Sequence, residues 1–193
     1  MKKNPERTEA RKMEIVKAAL ELFFEKGYEG TSVRMIQERI GKQVGGFYYY
    51  FESKDDVFDA ALDFFFNSYE KEMDEIIENG KDNPSDTLTK YFEYIHEATQ
   101  EFRRNYVGKL QLGVLGAIRE HTLEVMHKYV LQILGIYQEK GMLTNASASM
   151  EVAANFLTYG VGGSILYQSK EQYLQQEEEI KEVVKMLLNS NRK

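Results

Sequence analysis

Apolar residues recur along this chain at helical intervals almost throughout. Ile15, Ala18, Ala19, Leu22 and Phe23 keep the rhythm of a helix with one buried face, and Gly27 follows as a C-terminal cap, which predicts a helix over about residues 7–26. Thr31 or Ser32 can cap a short second helix that buries Val33, Ile36 and Ile40, and Gly41 ends it. A third short helix is predicted from about Val44 to Tyr50. Ser53 and Asp56 are spaced as a capping box, opening a long fourth helix that carries Val57, Ala60, Ala61, Phe64 and Phe65 and stops near Gly80. Asn83-Pro84 starts a fifth helix to about Tyr106. Helices over about 107–117 and 120–140 follow, the second closed by Gly141, and Ser147 and Ser169-x-x-Gln172 open the last two. The pattern is that of an all-α protein of about nine helices.

Composition narrows the function more than the fold. With 193 residues and 42% hydrophobic content the chain can bury a core of its own. The absence of Cys removes disulfides, thiolate metal sites and cysteine nucleophiles together. No stretch nears the roughly 18 uninterrupted apolar residues of a membrane span, and Met1-Lys2-Lys3-Asn4-Pro5 leads into charged residues, so no membrane partner and a cytoplasmic location are expected. No Ser/His/Asp arrangement, phosphate-binding glycine loop or zinc motif is present, and neither catalysis, a cofactor nor a metal site is expected. One competing chemistry is written in Glu93-x-x-His96 and Glu124-x-x-His127, the pairing used by di-iron carboxylate bundles. Such a site also needs a Glu from each of two further helices. A helical small-molecule carrier that binds no DNA is the other alternative.

The formal net charge of -6 is unevenly spread: residues 1–54 carry eleven Lys and Arg against eight Glu, while residues 55–193 carry 14 positive and 23 negative side chains. A weakly positive end therefore faces a polyanion better than the rest of the chain does. Within that end, Val33–Ile40, the Gly41-Lys42-Gln43 turn and Val44–Tyr50 have the layout of a helix-turn-helix, whose second helix enters the major groove. Five contiguous aromatics, Phe47 to Phe51, cannot all face one core. Helical spacing sends Phe47, Tyr50 and Phe51 inward and leaves Tyr48 and Tyr49 outside.

Gly27-Tyr28, Thr31-Ser32-Val33, Ile36, Gly41, Gly45, Phe47-Tyr48, Tyr50-Phe51 and Ser53-Lys54-Asp55-Asp56-Val57 stand in the order and spacing of the TetR family signature. The chain resembles that family over roughly its first third. The resemblance implies a three-helix helix-turn-helix DNA-binding domain over residues 1–54 and a helical effector-binding and dimerisation domain over 55–193. It implies phosphate contacts from Tyr48, Tyr49 and Lys54, bracing of the opposite strand by Thr31 and Arg34, and base-edge contacts from Lys42, Gln43, Val44 and Gly46. Gln37 and Ile40 replace the alanines usual in the second helix, and Lys42-Gln43 replaces the common apolar residue and Ser or Thr.

The function implied is a repressor, released from a palindromic stretch of double-stranded operator DNA by a small molecule, partly aromatic or apolar. Tyr91, Glu93, Tyr94, Phe102, Met126 and Tyr129 are the candidate effector contacts, chosen as an aromatic and pliable lining with a carboxylate to orient a polar or cationic ligand. A homodimer is expected through two helices, one presenting Phe156, Tyr159, Gly160, Gly163 and Tyr167, the other Ile180, Val184 and Leu187.

Overall fold

The structure, a computed structural model, describes residues 5–41, 44–143 and 149–188, with the backbone alone at Val44 and Gly45. In chain order it runs α1 (Pro5–Lys26), α2 (Val33–Arg39), a 3-10 turn (Val44–Tyr49), α3 (Lys54–Gly80), α4 (Pro84–Tyr106), α5 (Leu112–Glu139), α6 (Met150–Asn155), a π-helical segment (Phe156–Gly162), α7 (Gly163–Tyr167) and α8 (Lys170–Leu188). No strand occurs among the described residues, and the all-α reading holds. Since α6, the π segment and α7 are one unbroken rod, these residues make seven α-helical rods and the 3-10 turn rather than about nine helices.

Two differences account for the count. The helices expected over 107–117 and 120–140 are a single α5, because the chain turns at Gly108 (φ 84°) and Arg119-Glu120-His121 offers nothing to interrupt a helix. The segment after Gly41 winds as a 3-10 turn instead of an α-helix; it contains Gly45-Gly46, and adjacent glycines are poor α-formers. Ser147 lies outside the described residues, and the cap of α6 is Ser149, whose hydroxyl accepts from the Val152 N–H at 3.3 Å.

The chain packs as two compact units, Met1–Ser68 with Tyr106–Ile118, and Tyr69–Asn105 with Arg119–Lys193. In packing terms, therefore, the first turns of α3 and the segment around the start of α5 go with the N-terminal helices. The N-terminal core is built from Ile15, Ala19, Leu22 and Phe23 of α1, Ile36 of α2, Phe47 of the 3-10 turn, and Phe51, Val57 and Ala61. Capping follows the sequence: Ser32 accepts from the Met35 N–H at 3.2 Å, and Ser53 and Asp56 bond reciprocally at the head of α3. Gly27, at φ 75°, closes α1 by donating to the Phe23 carbonyl at 2.9 Å.

In the C-terminal unit the core is formed by Met73 and Ile77 of α3, Tyr91 and Ile95 of α4, and the α5 row Met126, Tyr129, Val130, Ile133, Leu134 and Tyr137. The rod over 150–167 has an unusual period. Its buried pairs are Ala153-Ala154, Leu157-Thr158, Val161-Gly162 and Ile165-Leu166, repeating every four residues. An α-helix turns in 3.6 residues and would rotate such a stripe off its core. The wider π segment underwinds the rod and keeps the stripe in register. At its end Gly162 lies against Met126, where a Cβ would sit 2.5 Å from the Met126 Cε. The guanidinium of Arg103 closes the rod by donating to the carbonyls of Leu166 at 2.9 Å and Gln168 at 2.5 Å.

Gly27→Ala is expected to lower unfolding stability by about 1–2 kcal/mol, the cost of a left-handed non-glycine residue. Its Cβ would also meet the Gln111 side chain at 1.8 Å. A chemical-denaturation midpoint unchanged from the parent chain would remove Gly27 as the closing residue of α1.

Candidate nucleic-acid interface and ligand cavity

The 3-10 turn sorts its aromatics as their positions require. Phe47 is fully buried and Phe51 nearly so, Tyr50 is half-buried, and Tyr48 and Tyr49 are 60% and 56% exposed with their rings turned outward. Gly46 is exposed, and space around it is open. Lys42 and Gln43 lie outside the described residues, as does the side chain of Val44. Arg34 extends from α2 with 80% of its side chain in solvent, held by Glu38 at 2.7 Å. Two phenol hydroxyls, a guanidinium and bare backbone are thus exposed in this unit.

Thr31 and Lys54 have another occupation. Thr31 is 2% exposed, and its hydroxyl reaches the carbonyls of Leu22 and Gly27 at 3.1 and 2.8 Å. Its side chain is inside the turn that joins α1 to α2, which corrects its assignment as a strand-bracing contact. The Lys54 ammonium donates to the carbonyls of Tyr28 at 3.0 Å and Thr31 at 3.3 Å and lies 3.9 Å from the centre of the Tyr28 ring. Two of its three N–H groups are thus engaged in holding the head of α3 to the turn. The Tyr28 hydroxyl in turn donates to Asp55. Arg39, not among the sequence-derived site residues, joins α2 to α1 through Glu21 at 3.1 Å and Glu25 at 2.8 Å. Its spacing from two glutamates on another helix carries no local sequence signal.

In the C-terminal unit a cavity of about 290 Å³ opens between α4, α5, the π segment and α8. Glu93 lines it, together with Phe92, Tyr137, Tyr173 and, from α8, Ile180 and Val184. The other effector candidates lie elsewhere. Tyr91, Met126 and Tyr129 are fully buried core, the two tyrosine rings stacking at 6.3 Å to fill the space between α4 and α5. The Tyr129 hydroxyl donates to Asp74 at 2.8 Å, and burial pushes its pKa well up. Tyr94 bonds the Tyr69 carbonyl at 3.4 Å and is likewise pushed up to about 12 by burial. Phe102 is half-buried outside the cavity wall.

The expected association face divides. Phe156, Tyr159 and Tyr167 are each about 60% exposed or more, with Gly160 exposed and Gly163 half-exposed beside them. Ile180, Val184 and Leu187 instead pack against the core of their own unit. Those three follow the same stripe of α8 as Tyr173 and Leu188, which faces inward; the outward apolar residues of α8 are Leu174, Val183 and Met186.

Residues 15–61 match the family of bacterial regulatory proteins of the tetR type. Over these residues the chain is similar to the TetR family. Among curated relatives, the IcaR negative transcriptional regulator of the icaADBC biofilm operon from Staphylococcus epidermidis is 29% identical over 98 residues, 50% of this chain and 51% of that protein. The AcnR transcriptional repressor of Corynebacterium diphtheriae is 40% identical over 48 residues, 25% of each chain. The match thus spans about half the length of IcaR and less of AcnR. A solved structure concerned with control of antibiotic production by bacterial hormones is similar at a TM-score of 0.58 and 25% identity, covering 93% of this chain and 97% of that one. RolR in complex with resorcinol is similar in fold at a TM-score of 0.63 and 14% identity, covering 94% and 90%.

The departures from that family's pattern have physical consequences. Gln37 is 1% exposed, and its Nε2 finds no hydrogen-bond partner among the described residues, a cost of about 1–3 kcal/mol that an alanine would avoid. The two Glu-x-x-His pairs do not converge: His96 stacks on Tyr173 at 4.7 Å, and His127 Nε2 lies 3.0 Å from Glu151. Among the described residues no three His, Asp or Glu side chains gather as metal ligands.

Lys54→Met keeps the stem over Tyr28 but deletes both bonds to the turn carbonyls. A stability loss of about 1–3 kcal/mol without any DNA is expected, since bonds from charged donors carry more than neutral ones. Urea unfolding of the free protein measures it, and an unchanged midpoint would return Lys54 to a purely external role.

Proposed function

We propose that the chain is a DNA-binding transcriptional regulator, a repressor that holds a palindromic operator as a homodimer and releases it when a small molecule occupies the C-terminal unit. The observation that carries this reading is the outward placement of Tyr48 and Tyr49 between buried Phe47 and Phe51. An aromatic segment that served only packing would not leave its two central phenols in solvent. Together with Arg34 they offer hydrogen-bond donors for phosphates, and the open backbone at Gly46 allows close approach to base edges.

Half-site pairing requires two copies. Phe156, Tyr159 and Tyr167, with small residues between them, supply an apolar face for a second chain, and Val183 and Met186 replace Ile180, Val184 and Leu187 as the α8 contribution. Release by an effector requires only that the ligand prefer the state that does not bind DNA. The element we assign to that coupling is α3, one helix that gives Val57 and Ala61 to the N-terminal core and Met73 and Ile77 to the C-terminal one.

Saturable binding to DNA from immediately upstream of the chain's own coding sequence is expected, weakening steeply with salt. Tyr48→Phe with Tyr49→Phe is expected to weaken it by about tenfold per half-site and so about a hundredfold for the dimer, from two lost bonds of about 0.5–1.5 kcal/mol each in each protomer. Arg34→Ala should flatten the slope of log affinity against log salt by about 1.8, one phosphate contact of about 0.9 in each of the two half-sites. A folded protein with no preference for that fragment or any other genomic DNA would overturn the reading.

Tyr159→Glu places a charge in the proposed association face and should convert dimers into folded monomers in sedimentation at micromolar concentration. Monomers already present in the parent chain would refute the two-copy arrangement.

A further inference from the structure

The charged groups around the cavity of the C-terminal unit are not evenly matched. Lys181 and Lys185 come from α8, but each is already held by carboxylates of its own helix, Lys181 by Glu177 and Glu178 at 3.0 Å and Lys185 by Glu182 at 2.6 Å. On the facing helix, Glu93 has no ion-pair partner among the described residues, while its neighbour Lys90 is taken by Asp86 at 2.8 Å. His96, stacked on Tyr173, is driven toward its neutral form by burial. Both lining lysines and Glu177 are thus engaged in ion pairs, and Glu93 is the lining carboxylate left without one among the described residues.

The remaining lining is mostly aromatic and aliphatic, with the hydroxyls of Ser85 and Thr89 beside it. Phe92, Tyr137 and Tyr173 present rings, and Leu88, Val161 and Leu188 present alkyl surface, within a space of about 290 Å³. Ring faces carry negative potential and attract a desolvated cation, most strongly one with a soft, weakly hydrated charge. Apolar walls exclude an ion that must keep its water, and a carboxylate ligand would meet Glu93 while both lysines are occupied.

We propose that this cavity binds a small lipophilic organic cation, a quaternary or tertiary ammonium, with Glu93 as its counter-ion and Phe92, Tyr137 and Tyr173 as its aromatic wall. The proposal rests on the regulator reading for its role as the effector site, and names the ligand class that reading leaves open. Glu93 fixes the charge of the ligand, and the rings with the α8 alkyl groups fix its apolar body.

The test uses the free full chain and three probes of one shape: benzyltrimethylammonium, its neutral isostere 2,2-dimethylpropylbenzene, and phenylacetate. Calorimetry or saturation-transfer NMR is expected to show one cation per chain, with the neutral isostere about tenfold weaker or more, as a cation–π and carboxylate pair implies, and phenylacetate not bound. Glu93→Gln should weaken the cation by about tenfold and leave the isostere unchanged, which separates lost charge from lost structure. Equal affinity for cation and isostere, tighter binding of phenylacetate, or a cation affinity indifferent to Glu93→Gln would overturn the proposal. Cation binding by a chain that binds no operator would leave this inference standing and sink the regulator reading. Operator binding with no cation site would do the reverse.

Discussion

The carbonyl oxygens at the end of α1 govern the geometry of the N-terminal unit. A helix end leaves several such groups without partners, and one buried unbonded costs about 1–3 kcal/mol. Here they are met from three directions. The Thr31 hydroxyl takes Leu22 and Gly27, the Gln111 side-chain amide takes Lys26 at 2.6 Å, and the Lys54 ammonium takes Tyr28 and Thr31. Because Lys54 is the first residue of α3, the bond that satisfies the turn also sets where α3 begins. The aromatic turn that precedes it inherits its position from the same anchor.

The C-terminal unit solves a different problem, a mismatch of periods. An apolar pair every four residues cannot stay on one face of an α-helix, and the chain answers by widening the helix between Phe156 and Gly162. That choice leaves Phe156 and Tyr159 on the outside of the rod and Leu157 and Val161 within, and it brings Gly162 close enough to Met126 for backbone and side chain to touch. The buried stripe and the exposed stripe are two results of one underwound segment.

Much of this was legible in the sequence because it is local. Capping residues at Ser32, Ser53, Asn83 and Ser169, the stop at Gly27, and the inward and outward aromatics of residues 47–51 all depend on neighbours within four positions. What was not legible depends on partners far along the chain. Thr31 and Lys54 read as outward contacts because their carbonyl partners are backbone, which no side-chain pattern reveals. Tyr91 and Tyr129 read as pocket lining because an aromatic that fills a core and one that borders a cavity look the same until the facing helix is placed. The stripe of α8 was assigned to a partner chain for the same reason: its apolar face is real, and which neighbour covers it is a tertiary fact. The period of four in residues 153–166 was present in the sequence, and counting pairs rather than single residues would have exposed it.

The amide of Gln111 has a consequence for modularity. Proteins of two parts invite exchange, with the first 54 residues of one chain joined to the remainder of another at the head of α3. In this chain such a graft would leave Lys26 uncapped and strip Tyr106 from its edge contacts with Phe24 and Phe65, 5.3 and 6.0 Å away. The inheritable module is discontinuous: residues 106–118 travel with the N-terminal helices, and a transplant that omits them carries the exposed aromatic turn without the amide that caps Lys26.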